Sequence, residues 1–159
     1  MGVRQIGARV HRVEDDNLIR GEGKYLDDIQ LPNMGYAAFL RSSMAHAKIS
    51  ITDTEAARTL DGVQAVFTYD TLPSSLVSKT QLETYPAPII KQSMCPELLA
   101  NDEVAHVGQA IAMVIANTRH VAEDACELIQ VEYTPLTPVV DVIKAAKSDS
   151  QLTRSSLKD

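Results

Sequence analysis

The run Val104-Ala-His-Val-Gly-Gln-Ala-Ile-Ala-Met-Val-Ile-Ala116 constrains this chain more than any other segment. It is too apolar and β-branched for a surface loop, and it leads directly into a helical pattern and then Val131-Glu-Tyr-Thr-Pro-Leu136. Apolar residues at Ala122, Ala125, Leu128 and Ile129 fall on one helical face, while Glu123, Asp124 and Glu127 fall on the other. The expectation is therefore a strand over 104–116, a helix over 118–129 capped by Asn117 or Thr118, and a strand over 130–133. Carboxylates near the helix start would suit its positive end. Gly108-Gln109 interrupts the first strand, which implies a bulge or a close backbone approach, with Gln109 free to bond a neighbouring segment.

A second strand-helix-strand order precedes it. Tyr36–Arg41 and 47–51 alternate as strands, Asp53 is placed to cap a helix over 54–60, Gly62 supplies a left-handed stop, and 63–67 resumes an extended pattern. The order of elements repeats, but no residue pattern does, so a duplication is not implied.

With 159 residues, no Trp and two Phe, the chain has the length for a real core and must build it from aliphatic side chains. That favours helix packed closely on sheet. Around this unit, residues 1–20 form a charged amino-terminal arm, and residues 21–146 form the folded domain. Within the domain, the connection 71–101 carries Pro73, Pro86, Pro88 and Pro96 and is either laid over a neighbour or mobile. Exposure of Met94, Leu98 and Leu99 would mark a missing partner surface. Residues 147–159 read as a polar tail. The stretch from Pro138 to Ala146 opens as a strand or a short helix.

The formal charge of −6, without a basic stripe, removes the electrostatic basis for nucleic-acid binding. No apolar run approaches the roughly 20 residues needed to span a bilayer, so the expected location is cytoplasmic.

Reactive side chains are sparse. His11, His46, His106 and His120 are far apart and offer no close ligand pair. His106 reads as a hydrogen-bonded structural histidine at a strand start, and His46 as a residue orienting the turn where a strand ends. Cys95 and Cys126 have neither disulfide nor iron–sulfur spacing and no adjacent basic group to stabilise a thiolate. Gly21-Glu-Gly23 lacks the third glycine of a dinucleotide fingerprint, and Glu22 would repel phosphate. Asp27 and Asp28 point apart in an extended segment and are expected to close a turn by accepting amide hydrogens. These readings assign no catalytic, cofactor-binding or metal residue.

Several ordered blocks together resemble the amino-terminal portion of the molybdenum-binding large subunit of the xanthine dehydrogenase and aldehyde oxidase family. That family includes aerobic carbon monoxide dehydrogenase and isoquinoline oxidoreductase relatives. The blocks are Arg12-Val-Glu-Asp15, Leu18-Ile-Arg-Gly-Glu-Gly-Lys-Tyr-Leu-Asp-Asp28, Phe39-Leu-Arg-Ser-Ser-Met-Ala-His-Ala-Lys-Ile49, Gly62-Val-Gln-Ala-Val-Phe67, Val107–Ala116 and Ala122–Leu136.

The resemblance implies an α/β hammerhead: a mixed α/β unit with a mixed sheet packed by short helices. It would be a structural module docked on larger domains. Family members hydroxylate aldehydes, purines or other N-heterocycles, or oxidise carbon monoxide, at a molybdenum–pterin centre. Two [2Fe–2S] centres and usually FAD carry the electrons away. The family's glutamate base and pterin contacts have no position in this chain, so the isolated chain is expected to be inactive. Its implied partners are the remaining molybdenum-binding domains and the iron–sulfur and FAD subunits or domains. The arm 1–31 and the segment 71–101 would make the contacts. The alternative is a stand-alone protein-binding module that keeps the fold.

Overall fold

The computed structural model describes residues 12–77, 97–147 and 149–157. The chain divides into two compact units, Met1–Met34 and Gly35–Asp159. In the first unit, residues 15–19 are helical rather than an extended arm: α1 spans Asp15–Ile19. The Asp15 carboxylate accepts a hydrogen bond from the Arg12 amide at 3.3 Å, which satisfies an otherwise unpaired donor at the helix entry. A 3₁₀ turn follows at Leu26–Asp28, where Asp28 accepts the Tyr25 amide at 2.9 Å, the turn-closing role expected of it.

The second unit holds β1 (Tyr36–Arg41), β2 (Ala47–Asp53), α2 (Glu55–Thr59), β3 (Val63–Thr68), α3 (Ser74–Val77), β4 (Glu103–Val104), β5 (Ala110–Ala116), α4 (Arg119–Glu127), β6 (Gln130–Pro135) and α5 (Val142–Ala145). It is a mixed α/β arrangement of small sheets flanked by short helices. The strands form two three-stranded sheets, ordered β1-β5-β3 and β4-β2-β6, and their pairings are antiparallel.

That topology corrects the expectation of one strand over 104–116. Residues 105–109 turn the chain, so 103–104 joins one sheet and 110–116 becomes the centre of the other. Gly108 sits at φ +86°, a left-handed backbone that L side chains rarely adopt, and this is the physical origin of the break. The turn is fastened to the end of β1: Ser42 N–H donates to the Gln109 carbonyl at 2.9 Å, and Gly108 N–H donates to the Ser42 carbonyl at 2.8 Å. Nor is either strand-helix-strand stretch a crossover within a sheet. Both β2-α2-β3 and β5-α4-β6 carry the chain from one sheet to the other.

Small side chains set how closely α4 lies on the first sheet. Ala122, Ala125 and Cys126 are buried on its inner face, against Ala112 and Val114 of β5, Val66 of β3 and Ala57 of α2. Leu128, expected on that face, is exposed because the helix ends there, and Ile129 takes the inner position. Thr118 caps the helix by accepting the Val121 amide at 3.2 Å. No carboxylate lies in the first turn, so the expected dipole contribution there is absent; Glu123, Asp124 and Glu127 come later. Asp53 is not itself the cap of α2: Thr54 holds the N-cap position without a side-chain bond, and Asp53, at the end of β2, accepts the Glu55 amide at 2.8 Å. Gly62 adopts φ +89°, and a Cβ there would lie 2.6 Å from Asn117 Oδ1.

A second cluster of Ala47, Ile49, Ala100, Val104 and Ile111 fills the space beside β4-β2-β6. Leu40, Ile51 and Val131 pack against both clusters, so the two cores are continuous. Both are aliphatic, as composition requires. The chain's two Phe lie outside them: Phe39 and Phe67 flank Met113 in register on the other face of β1-β5-β3, and the Arg41 guanidinium sits 5.3 Å from the Phe39 ring centroid. Most of the Pro-containing connection, including Met94 and Cys95, falls outside the described residues. At its end Leu99 and Ala100 are buried in the core, contrary to the expectation of an exposed surface for Leu99, and Leu98 is half-buried.

Ile111 is fully enclosed where the inner strand meets the second cluster. Replacing it with Ala leaves a cavity and is expected to cost about 2–5 kcal/mol in urea unfolding, whereas Val107→Ser on the exposed turn changes stability by less than about 0.5 kcal/mol.

Candidate functional site

The described residues with the most concentrated chemistry are His46, Lys48, Glu103 and Ser155. Antiparallel pairing of β2 with β4 places Lys48 opposite Glu103. His46 precedes β2, and the terminal segment brings Ser155 to the same carboxylate. His46 Nε2 lies 2.6 Å from Glu103 Oε1, with the two side chains only 4% and 6% exposed. His46 Nδ1 lies 2.8 Å from the Thr137 carbonyl oxygen.

These partners fix the proton count on the imidazole. A carbonyl oxygen can only accept, so Nδ1 carries a proton; an ionised carboxylate can only accept, so Nε2 carries one too. Both ring nitrogens thus face acceptors, which favours the imidazolium form of His46. Burial alone would lower its pKa, but the hydrogen bonds to Glu103 and Thr137 and the nearby negative charge outweigh it and raise the value above 6.5.

Glu103 shows the mirror image. Burial pushes its pKa up, yet the hydroxyl and amide of Ser155, the imidazolium and the Lys48 ammonium together hold it at about 2. Ser155 N–H reaches both carboxylate oxygens at 3.1 Å, Ser155 Oγ donates to Oε2, and Lys48 Nζ lies 3.3 Å from Oε2. Lys48 also reaches Asp102 at 3.4 Å, and its pKa is raised because these carboxylates outweigh its partial burial.

A serine, a histidine and a glutamate in contact invite comparison with a nucleophilic triad. Such a triad needs the imidazole between the other two, so that it can take the hydroxyl proton. Here the carboxylate is central, and the hydroxyl donates to it. With a pKa of about 2, Glu103 is too weak a base for proton abstraction near neutrality, and both ring nitrogens of His46 are already engaged, by Glu103 and the Thr137 carbonyl. The cluster is a saturated polar clamp. It joins the start of β2, the edge strand β4, the exit of β6 and the terminal segment.

The other residues singled out from sequence are not gathered with it. His106 is exposed in the 105–109 turn rather than at a strand start, with its ring 3.1 Å from the adjacent Val107 carbonyl. His120 is exposed on α4, and His11 lies outside the described residues. Gln109 is buried, but its side chain bonds the Ala105 amide four residues back at 2.8 Å, and only its backbone carbonyl serves a distant segment. Burial pushes the Cys126 thiol up, the wrong direction for a nucleophile. Gly21 ends α1 instead of opening a helix, and the cleft of about 280 Å³ beside it includes Glu14 and Glu22, both adverse to phosphate. Among the described residues, no group of three or more His, Cys, Asp or Glu could hold a metal ion. The clamp would not fit one either, since its donors and acceptors already satisfy each other.

Sequence reading found His46 as a turn-orienting residue but missed Glu103, Lys48 and Ser155 as its partners. The only local signal was a lysine beside one strand pattern and an acidic pair, Asp102-Glu103, at the start of another. Ser155 gave none, being 52 residues from Glu103.

Comparison with known proteins agrees with the fold. Residues 20–137 match the family described as aldehyde oxidase and xanthine dehydrogenase, a/b hammerhead domain. The chain is 39% identical over 154 residues to the carbon monoxide dehydrogenase large chain of Afipia carboxidovorans, covering 97% of this chain and 18% of that one. It is 40% identical over 147 residues to the nicotine 6-hydroxylase large subunit of Paenarthrobacter nicotinovorans, covering 88% and 17%. Among solved structures, the quinoline 2-oxidoreductase of Pseudomonas putida superposes with a TM-score of 0.72 at 36% identity, over 94% of this chain and 18% of that chain. The chain thus spans less than a fifth of the length of these relatives.

The clamp gives stability a two-sided pH dependence. The depressed Glu103 pKa contributes fully above 4.5 and is lost as pH falls toward about 2, while the raised His46 pKa contributes fully below 6.5 and fades as pH rises past its folded value. Stability is therefore expected to peak between these limits. The acid limb should span on the order of 3 kcal/mol in urea titrations. Glu103→Gln should remove that limb and cost about 3 kcal/mol. Lys48→Met, on a half-exposed side chain, should cost less than about 1 kcal/mol.

Proposed function

This chain belongs to the aldehyde oxidase and xanthine dehydrogenase a/b hammerhead family, and we propose that it works as the amino-terminal structural and interface module of a molybdenum-dependent oxidoreductase of the hydroxylase or dehydrogenase type. The single observation carrying this reading is where the unit keeps its large aliphatic side chains uncovered. Within Met1–Met34, Val13, Ile19, Leu26, Ile29 and Leu31 are exposed; within Gly35–Asp159, Val140, Val142 and Ile143 are exposed within four residues at the start of α5. Large aliphatics left in water close together along the chain mark contact surfaces.

Chemistry in this reading is supplied from outside these residues. Molybdenum–pterin would carry the hydroxylation or oxidation, and [2Fe–2S] centres with FAD the electron transfer. Within the described residues, the one buried ionisable cluster is closed on itself, so we assign none of its members to catalysis, cofactor or metal. The partners are the remaining molybdenum-binding domains and the iron–sulfur and FAD subunits or domains, in the cytoplasm. Among the described residues no helix is long and apolar enough to cross a membrane. The role of this module is to present a shaped, rigid surface on which the larger parts are assembled.

Purified from molybdenum-replete cells, the 159-residue chain is expected to contain no stoichiometric molybdenum or pterin and to oxidise neither carbon monoxide nor N-heterocycles. Metal analysis and turnover assays check this. Stoichiometric metal with turnover would overturn the reading, as would a native gene product of this length acting without any molybdenum-binding partner.

A further inference from the structure

The family match ends at residue 137, and the most exposed aliphatic segment of the second unit begins almost immediately after it. Among the described residues, 138–147 lead away from the β4-β2-β6 sheet and 149–154 lead back to it. Both ends of this excursion are tied to the same buried ion pair. At its start, His46 Nδ1 donates to the Thr137 carbonyl at 2.8 Å, and Leu136 N–H donates to the His46 carbonyl at 2.9 Å. At its end, the Ser155 amide and hydroxyl both donate to Glu103.

The excursion is also braced internally. Asp141 caps α5 by accepting the Ile143 and Lys144 amides at 2.9 and 3.1 Å, and Ser150 Oγ donates to the Ala145 carbonyl at 2.8 Å. A shallow cavity of about 430 Å³ runs along it, with Pro138, Val139, Val140 and Ala145 in its lining. Yet Val140, Val142 and Ile143 are 85%, 80% and 76% exposed. Three β-branched side chains held outward by a doubly anchored loop contribute little to this chain's own core.

We propose that the segment 138–154 is a preorganised docking loop, clamped at both ends by His46–Glu103, whose Val140, Val142 and Ile143 seat against an aliphatic surface of the remaining molybdenum-binding part of the same subunit. The proposal rests on the functional reading above. The occupant follows from the relatives: the hammerhead match stops where this loop starts, and alignment to the carbon monoxide dehydrogenase large chain continues over 97% of this chain while filling only 18% of that one. Anchoring both ends removes much of the loop-ordering entropy that docking otherwise costs. β-branched side chains, already restricted in χ1, lose little more.

The test uses the complete native gene product and the 159-residue chain side by side, each with the wild-type sequence and with V140S/V142S/I143S. In the 159-residue chain the triple variant should leave the unfolding midpoint unchanged, because the side chains are already in water. In the complete product, amides of 139–145 should exchange at least about tenfold more slowly than in the 159-residue chain, and the triple variant should abolish that difference and lower the unfolding midpoint. Glu103→Gln should speed exchange of 138–157 in the 159-residue chain while Val107→Ser does not. Equal exchange in both contexts, or a triple variant without effect on the complete product, would overturn the docking loop and leave the module reading standing. A native product with no further molybdenum-binding part would overturn the module reading itself. Concentration-dependent dimerisation of the 159-residue chain, lost in the triple variant, would assign the loop to a second copy and refute the occupant proposed here.

Discussion

Glu103 is a carboxylate buried at a sheet edge, and an ion in that position must be compensated by several donors at once or the fold around it fails. Its donors come from three separate places: the residue before β2, the β2 lysine and the terminal segment. Satisfying one side chain thereby fixes where three stretches of backbone meet. The imidazolium extends the constraint to a fourth, through the Thr137 carbonyl at the exit of β6. Charge thus does at this corner what apolar packing does elsewhere, and it does so with directional specificity that aliphatic contacts lack.

The rest of the unit is organised by size. Alanine recurs where α4 and α2 meet the first sheet, at Ala57, Ala112, Ala122 and Ala125, so helices come close to the strands without large side chains between them. Larger residues, Leu40, Ile51 and Val131, sit where the two clusters join. An aliphatic core of this sort is stiff because close packing leaves each side chain few alternatives. Residues 140–143 of the same unit carry their aliphatics outward instead, and the separate unit Met1–Met34 exposes its own.

Much of this was legible in the sequence because its signals are local. Alternation in 36–41, 47–51 and 63–67 and the helical period after Thr118 depend on residues a few positions apart, and those elements stand where they were expected within the usual margin at their ends. The ordered family blocks carried the hammerhead assignment in the same way. The break within 104–116 was half visible: Gly108 marked an irregularity, but whether a glycine bends one strand or divides two depends on which neighbours pair with each side. Neighbours cannot be read from period. Likewise, strand-helix-strand order did not reveal that each helix joins two sheets.

The sequence by itself determined an aliphatic α/β unit without a local metal-ligand or nucleophile motif, because hydrophobic period and short-range turn chemistry are written in adjacent residues. Only the tertiary structure decided that His46 lies between two acceptors that favour its charged form, that Glu103 is strongly acidic and that Ser155 bonds the same carboxylate. Protonation is set by which acceptors and donors come within about 3 Å, and here they come from positions 52 and 57 residues from Glu103.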